Sequence, residues 1–141
     1  LNKAMKSVHL HFPHLEVSLK VEPEAECVLA DKDRMTQVFV NILENAARYN
    51  DKEKPTCNVR SEKIDDSVVI SFSDNGIGVS EKHLSKIFDS FYQVDMGSGR
   101  KVGGTGLGLS ICRGIMAAHG GKIWAEQNPK GGTVFKISLS L

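Results

Sequence analysis

The chain is predicted to fold as a two-layer α/β sandwich: a mixed, mostly antiparallel sheet covered on one face by about three helices. Three observations predict this. The strand-like stretches carry apolar residues at every second position on one side, as a sheet with one solvated face requires. Residues Met35 to Ala46 repeat apolar side chains at helical spacing, and Leu107 to His119 read as a second helix; such stripes are buried against a sheet. The composition is that of a globular domain: 141 residues, 40% hydrophobic and 25% charged, with a formal net charge of +1. That length suits a single domain spanning residues 1–141. Near-neutral charge argues against nucleic acid as a partner. No apolar run approaches the ~20 residues that span a bilayer, and no signal peptide opens the chain; a cytoplasmic location is expected, either alone or as the cytoplasmic part of a membrane-bound parent.

The elements follow in order. Leu1–Val8 reads as the end of a helix that begins upstream; the chain starts mid-pattern without Met, as an excised fragment would. Leu15–Val21 alternates and is expected to be a strand with one buried face. Pro23 breaks it, and Cys27–Ala30 is expected to form a short second strand. Asp31 stands where a helix N-cap belongs. The helix behind it, running to Tyr49, carries Met35, Val38, Phe39, Ile42, Leu43 and Ala46 on its stripe. Cys57–Ile64 and Ser67–Ser73 form a hairpin around Asp65-Asp66. Ser80 is positioned to cap a short helix through Phe88, and Asp95–Thr105 is too rich in glycine for regular structure. Leu107–His119 closes at Gly120-Gly121, with His119 expected as a cation favoured by the helix dipole. Lys122–Glu126 and Thr133–Leu141 pair last, with Phe135, Ile137, Leu139 and Leu141 on one face. The three cysteines, Cys27, Cys57 and Cys112, form no C-x-x-C pair and read as reduced, partly buried thiols.

Chemistry concentrates where glycine does. Gly103-Gly104-Thr105-Gly106-Leu107-Gly108-Leu109 runs into a helix. A helix start offers free N–H groups and partial positive charge, so it suits a phosphate, although a glycine linker capped by a helix has the same pattern. Neither a P-loop nor a dinucleotide fingerprint is present. Asp74-Asn75-Gly76-Ile77-Gly78 places a carboxylate at a strand end. It either caps its own turn or accepts from an amine such as that of adenine. Asn41 and Asn45 share one helix face; they are either solvated amides or hard oxygen ligands for Mg²⁺ beside a nucleotide.

Taken together, these motifs resemble the ATP-binding catalytic domain of sensor histidine kinases, within the gyrase-type ATPase superfamily and its Bergerat fold. The resemblance runs from about Leu15 to Leu141. Asn41–Ala46 is similar to the family's N box, Asp74–Gly78 to its G1 box and Ile87–Phe91 to its F box. Gly104–Leu109 is similar to the G2 box, and Gly131–Phe135 to the terminal Gly-Thr motif. The resemblance implies ATP and Mg²⁺ as cofactors. It implies that Asp74 reads the adenine amine with support from Thr133, that Asn45 and Asn41 hold Mg²⁺, that Arg48 reaches the phosphates and that Tyr49 lies along the adenine. The catalytic set is then Asn41, Asn45 and Arg48. Gly76, Gly78, Ile87, Phe88, Gly104, Thr105, Gly106, Leu107, Gly108 and Leu109 complete the nucleotide site. Residues 92–104 form a lid, with Phe88 and Phe91 anchoring its start.

The chain departs from the family pattern at Ser90 and Gln93, where many members carry Arg; Arg100 and Lys101 are the lid cations that can replace them. Asn41 occupies the position where gyrase-type ATPases carry a Glu that activates water, and an amide is no general base. Glu44 projects about 100° from Asn45 around the helix and is not expected to substitute. The five His include none in the setting of a phospho-acceptor; His83 is expected on a helix surface, and His9, His11 and His14 lack metal-spaced partners. The implied partners are a dimerisation and phosphotransfer domain of the same parent, with residues 1–12 as the tail of a linker or dimerisation helix, and a response regulator. The isolated domain is expected to be monomeric. The implied activity is transfer of the γ-phosphate to a histidine on that separate domain. The alternatives are a silent nucleotide-binding module and a gyrase-type ATPase.

Overall fold

Alternation decides which face of the sheet is buried. The computed structural model describes residues 1–25, 28–94 and 105–141. Among them the elements are α1 (Asn2–His11), β1 (Glu16–Val21), α2 (Lys32–Arg48), β2 (Thr56–Ile64), β3 (Ser67–Asp74), α3 (Gly108–Ala118), β4 (Lys122–Gln127) and β5 (Thr133–Ser140). The five strands form one sheet in the order β1-β2-β3-β5-β4. β1 runs parallel to β2, and every other pairing is antiparallel. The register aligns Val59, Phe72, Phe135 and Ala125 in one row across the sheet. That row faces the helices.

α2 covers the row. Its carboxylate cap is Asp31, which accepts from the N–H groups of Asp33 and Arg34 at 3.0 and 2.9 Å. Met35, Val38, Phe39, Ile42, Leu43 and Ala46 are all buried. Phe39 meets Phe72 of β3 with ring centroids 5.9 Å apart. α1 adds Ala4 and Val8 to the core, and α3 adds Cys112 and Met116. Burial pushes the Cys57 thiol up to about 12 and the Cys112 thiol up to about 11, so both stay protonated at neutral pH.

Several sequence expectations are corrected. Residues 28–30 have no strand structure, and Cys27 lies outside the described residues; Pro23–Ala25 forms a 3-10 turn instead. β1 loses its buried face along its length: Leu15 is buried, but Leu19 and Val21 are 39% and 45% exposed, because an edge strand outruns the helices above it. Glu81–His83 and Lys86–Phe88 are separate 3-10 turns, and the Ser80 side chain caps neither. β5 ends at Ser140, leaving Leu141 53% exposed.

His119 makes two hydrogen bonds: its Nδ1 pairs with Ile115 O at 2.8 Å, and its Nε2 faces the Asp31 N–H at 3.1 Å. It ties the C-terminus of α3 to the N-terminus of α2. Among the described residues, no helix is long and apolar enough to cross a membrane.

Phe72 is 1% exposed at the centre of the core. Phe72→Ala is expected to destabilise the fold by about 3–5 kcal/mol in urea denaturation, the usual cost of such a cavity.

Candidate functional site

The inward rows do not stop where the core stops. On β3, Val68, Ile70 and Phe72 point to the helices, and two residues later the same alternation turns Asp74 inward. On β5 the row that carries Phe135, Ile137 and Leu139 begins with Thr133. A carboxylate and a hydroxyl are thereby placed at one end of an apolar layer. Asp74 is 6% exposed and Thr133 is 4% exposed.

A buried carboxylate must be hydrogen-bonded. Asp74 Oδ1 accepts from Gly76 N–H at 2.9 Å and Thr133 N–H at 3.1 Å. Its backbone carbonyl accepts from Asn128 Nδ2 at 3.0 Å. Burial pushes the Asp74 carboxyl above its ordinary 3.8, against the downward pull of those two N–H groups. The approach is so close that side chains are excluded. A Cβ on Gly132, whose φ is +92°, would lie 2.2 Å from the Asp74 carbonyl oxygen and 2.6 Å from Oδ1. A Cβ on Gly76 would lie 2.3 Å from Tyr49 O. Both bonds fall on Oδ1; Oδ2 has no bonded donor among the described residues, and Asp74 lines a cavity of ≈ 270 Å³.

α2 supplies one wall of that cavity. Asn41, Glu44, Asn45 and Arg48 lie along its edge, beside the buried stripe, and all four line the space. Asn41 Nδ2 donates to Gly108 O at 3.3 Å and faces Cys112 Sγ at 3.5 Å. Its hydrogens are used on α3, which leaves Oδ1 as a hard oxygen donor. Arg48 Nη2 stands 3.5 Å from Glu44 Oε2, and its guanidinium sits 5.9 Å from the centroid of the Phe12 ring. Tyr49 caps α2 through its N–H to Asn45 O, and its own carbonyl receives the Ile77 N–H at 3.0 Å.

The opposite wall is the start of α3. Thr105, Gly106, Gly108 and Leu109 line the cavity. Among the described residues no side chain caps α3 at Leu107, so first-turn N–H groups of the helix are open to the space, the usual setting for an anion. Gly106 has φ +71° and accepts the Phe91 N–H at 2.9 Å; a Cβ there would meet Phe91 Cα at 2.9 Å.

Of the sequence-selected residues, Gly78, Ile87 and Thr133 also line the cavity, whereas Gly76, Phe88 and Leu107 do not. Phe88 is buried edge-on to Phe135 at 6.3 Å. Phe91 does not anchor anything in the core: it is 74% exposed with φ +62°. Arg100, Lys101 and Gly104 lie outside the described residues, as do 95–104 of the expected lid. His83 is half-buried, and its Nδ1 is hydrogen-bonded to the Tyr92 hydroxyl. The residues chosen from the sequence did not include Glu44, Ile77, Val79 or Phe135, which also line the cavity, nor Asn128, the brace behind Asp74; Tyr92, Gln93 and Val94, from the start of the expected lid, line it too. Glu44, Ile77 and Phe135 lie inside the motifs that marked the site, whereas nothing local marks Val79 or Asn128.

The family described as histidine kinase-, DNA gyrase B-, and HSP90-like ATPase matches residues 30–141. The sensor protein kinase WalK of Staphylococcus haemolyticus (strain JCSC1435) is 44% identical over 110 residues, 77% of this chain and 18% of WalK; the chain thus spans under a fifth of that relative's length. The structure of the mycobacterial sensor histidine kinase MprB superposes with a TM-score of 0.87 at 25% identity, covering 99% of this chain and 91% of MprB. The histidine kinase ThkA, solved in complex with the response regulator protein TrrA, gives 0.74 at 29% identity, covering 99% of this chain and 40% of that one. Family, fold and relatives agree: the chain belongs to the histidine kinase-, DNA gyrase B- and HSP90-like ATPases, as an ATP-binding catalytic domain of the histidine kinase type.

Proposed function

We propose that this domain binds Mg·ATP and presents its γ-phosphate to a histidine on a separate dimerisation domain, for relay to an aspartate of a response regulator on the cytoplasmic side. One observation carries the reading. The buried Asp74 leaves one carboxylate oxygen for the same cavity onto which the uncapped start of α3 opens. An acceptor for the adenine amine and a cradle for phosphates thus lie at two ends of one space. ThkA was solved with a response regulator, which supports the relay as the downstream step.

Asp74 accepts from the exocyclic amine, and Thr133 stands beside it. Tyr49 lies along the base. The N–H groups of α3 take the phosphates and cost no reorganisation when charge develops. Asn41 and Asn45 offer amide oxygens, and that donor set fits Mg²⁺, which prefers a few hard protein ligands alongside phosphate. When bound, the ion neutralises phosphate charge. Asn41 cannot take a proton from water, so its place in the cavity supports transfer to a protein acceptor over hydrolysis. The test supplies labelled ATP and the parent's dimerisation domain to this chain. Label on a histidine is expected; steady phosphate release without acceptor would show an ATPase instead.

Asp74→Asn replaces one acceptor oxygen by a donor. Calorimetry with Mg·ATP is expected to show a loss of roughly 100-fold in affinity. The folded chain holds the Asp74 proton more tightly than the unfolded chain does, so ionising it costs stability as pH rises through the folded value. The variant's thermal midpoint at neutral pH is therefore expected to equal or exceed wild type.

Binding needs the ionised form. Affinity for adenosine, which carries no phosphate to titrate, is expected to be flat above neutrality and to fall on acidification while the pH is still above 3.8. An NMR titration series over pH reads this.

Gly131 and Gly132 both have positive φ, but a Cβ on Gly131 meets nothing within 4 Å. Gly131→Ala should cost about 1–2 kcal/mol and leave nucleotide binding intact. Gly132→Ala should cost at least ~3 kcal/mol, because it drives a methyl into Asp74, and should reduce binding in parallel. Urea denaturation and calorimetry on both variants separate the two outcomes.

A further inference from the structure

We propose that Glu44 is a specificity-determining residue that makes the cavity favour metal-bound over metal-free nucleotide. The inference rests on the nucleotide reading above and deepens it. Glu44 is one of four α2 residues on the cavity wall, with Asn41, Asn45 and Arg48. Its Oε2 lies 3.5 Å from Arg48 Nη2, and the two side chains are 27% and 34% exposed, so their charges are only partly screened.

The charged groups among the described lining residues are Glu44, Arg48 and Asp74. Asp74 lies at the sheet end, its Oδ1 committed to Gly76 and Thr133. Among the described residues at the α2 end, the Glu44 charge offsets that of Arg48. A bare polyphosphate arriving there gains nothing net from the pair and meets a carboxylate at close range. A polyphosphate carrying a divalent cation meets that carboxylate beside two amide oxygens, with the sign of the interaction reversed. Glu44 thus penalises one form of the nucleotide and favours the other.

The experiment is a calorimetric titration of the 141-residue chain with ATP plus Mg²⁺ and with ATP plus EDTA, for wild type and Glu44→Gln. Glutamine keeps the length and an oxygen facing Arg48 but removes the charge. The ratio of metal-free to metal-bound Kd is expected to fall roughly three- to tenfold in the variant, mainly through tighter binding with EDTA, and the effect should shrink with added salt. Glu44→Lys is expected to lower the ratio further. Thermal melts confirm that the variants are folded. An unchanged ratio overturns the proposal. So does an equal shift of both Kd values, which leaves the ratio where it was. If wild type binds ATP in neither condition, the nucleotide reading itself fails; if it binds and only the ratio is insensitive to position 44, the failure is confined to Glu44.

Discussion

The site is organised around a single costly group, the Asp74 carboxylate at the end of an apolar row. Taking it out of water is unfavourable unless hydrogen bonds replace the lost solvent. Two backbone N–H groups do so, one from the turn after β3 and one from the start of β5. Their approach demands residues without side chains at Gly76 and Gly132. The β3–β5 register brings the Thr133 N–H into reach, the Asn128 amide braces the carbonyl behind it, and the Tyr49 carbonyl holds the following loop through Ile77. The turn after β3 and the start of β5 thus meet at one carboxylate oxygen, and the other oxygen has no bonded donor among the described residues.

α2 has two jobs, separated by angle around its axis. The stripe from Met35 to Ala46 is buried on the sheet, and the neighbouring edge from Asn41 to Arg48 faces the cavity. Packing the first holds the second rigidly, which is what a site that works by positioning requires. Asn41 joins this edge to α3 by giving its amide hydrogens to Gly108 and Cys112. His119 makes a second tie between the same two helices at their far ends. Both walls of the cavity are therefore fixed relative to one another by side-chain bonds that cross between helices.

Much of the fold was legible because period and burial coincide. The α2 stripe, the Asp65-Asp66 hairpin and the inward row of β5 can be read from spacing alone. Legibility failed where tertiary context overrides the local pattern. β1 alternates but its outer half lacks a helix above it, and residues 28–30 are apolar yet pair with no strand. The glycines and Asp74 stood out as motifs, but the reason for Gly132 lies in a contact 58 residues away in sequence. The tie from His119 to the backbone N–H of Asp31 is likewise a contact that no helix-end rule reveals.

Phe91 has a left-handed backbone and a ring that is 74% exposed. Each is unfavourable for this residue type: the backbone costs of the order of 1 kcal/mol, and the ring gains little from burial. Glycine would relieve the first and remove the second. A chain shaped by folding free energy alone would not put phenylalanine here. The residue is a local debt carried by the rest of the structure, and its account must be sought in what the folded domain does rather than in what keeps it folded.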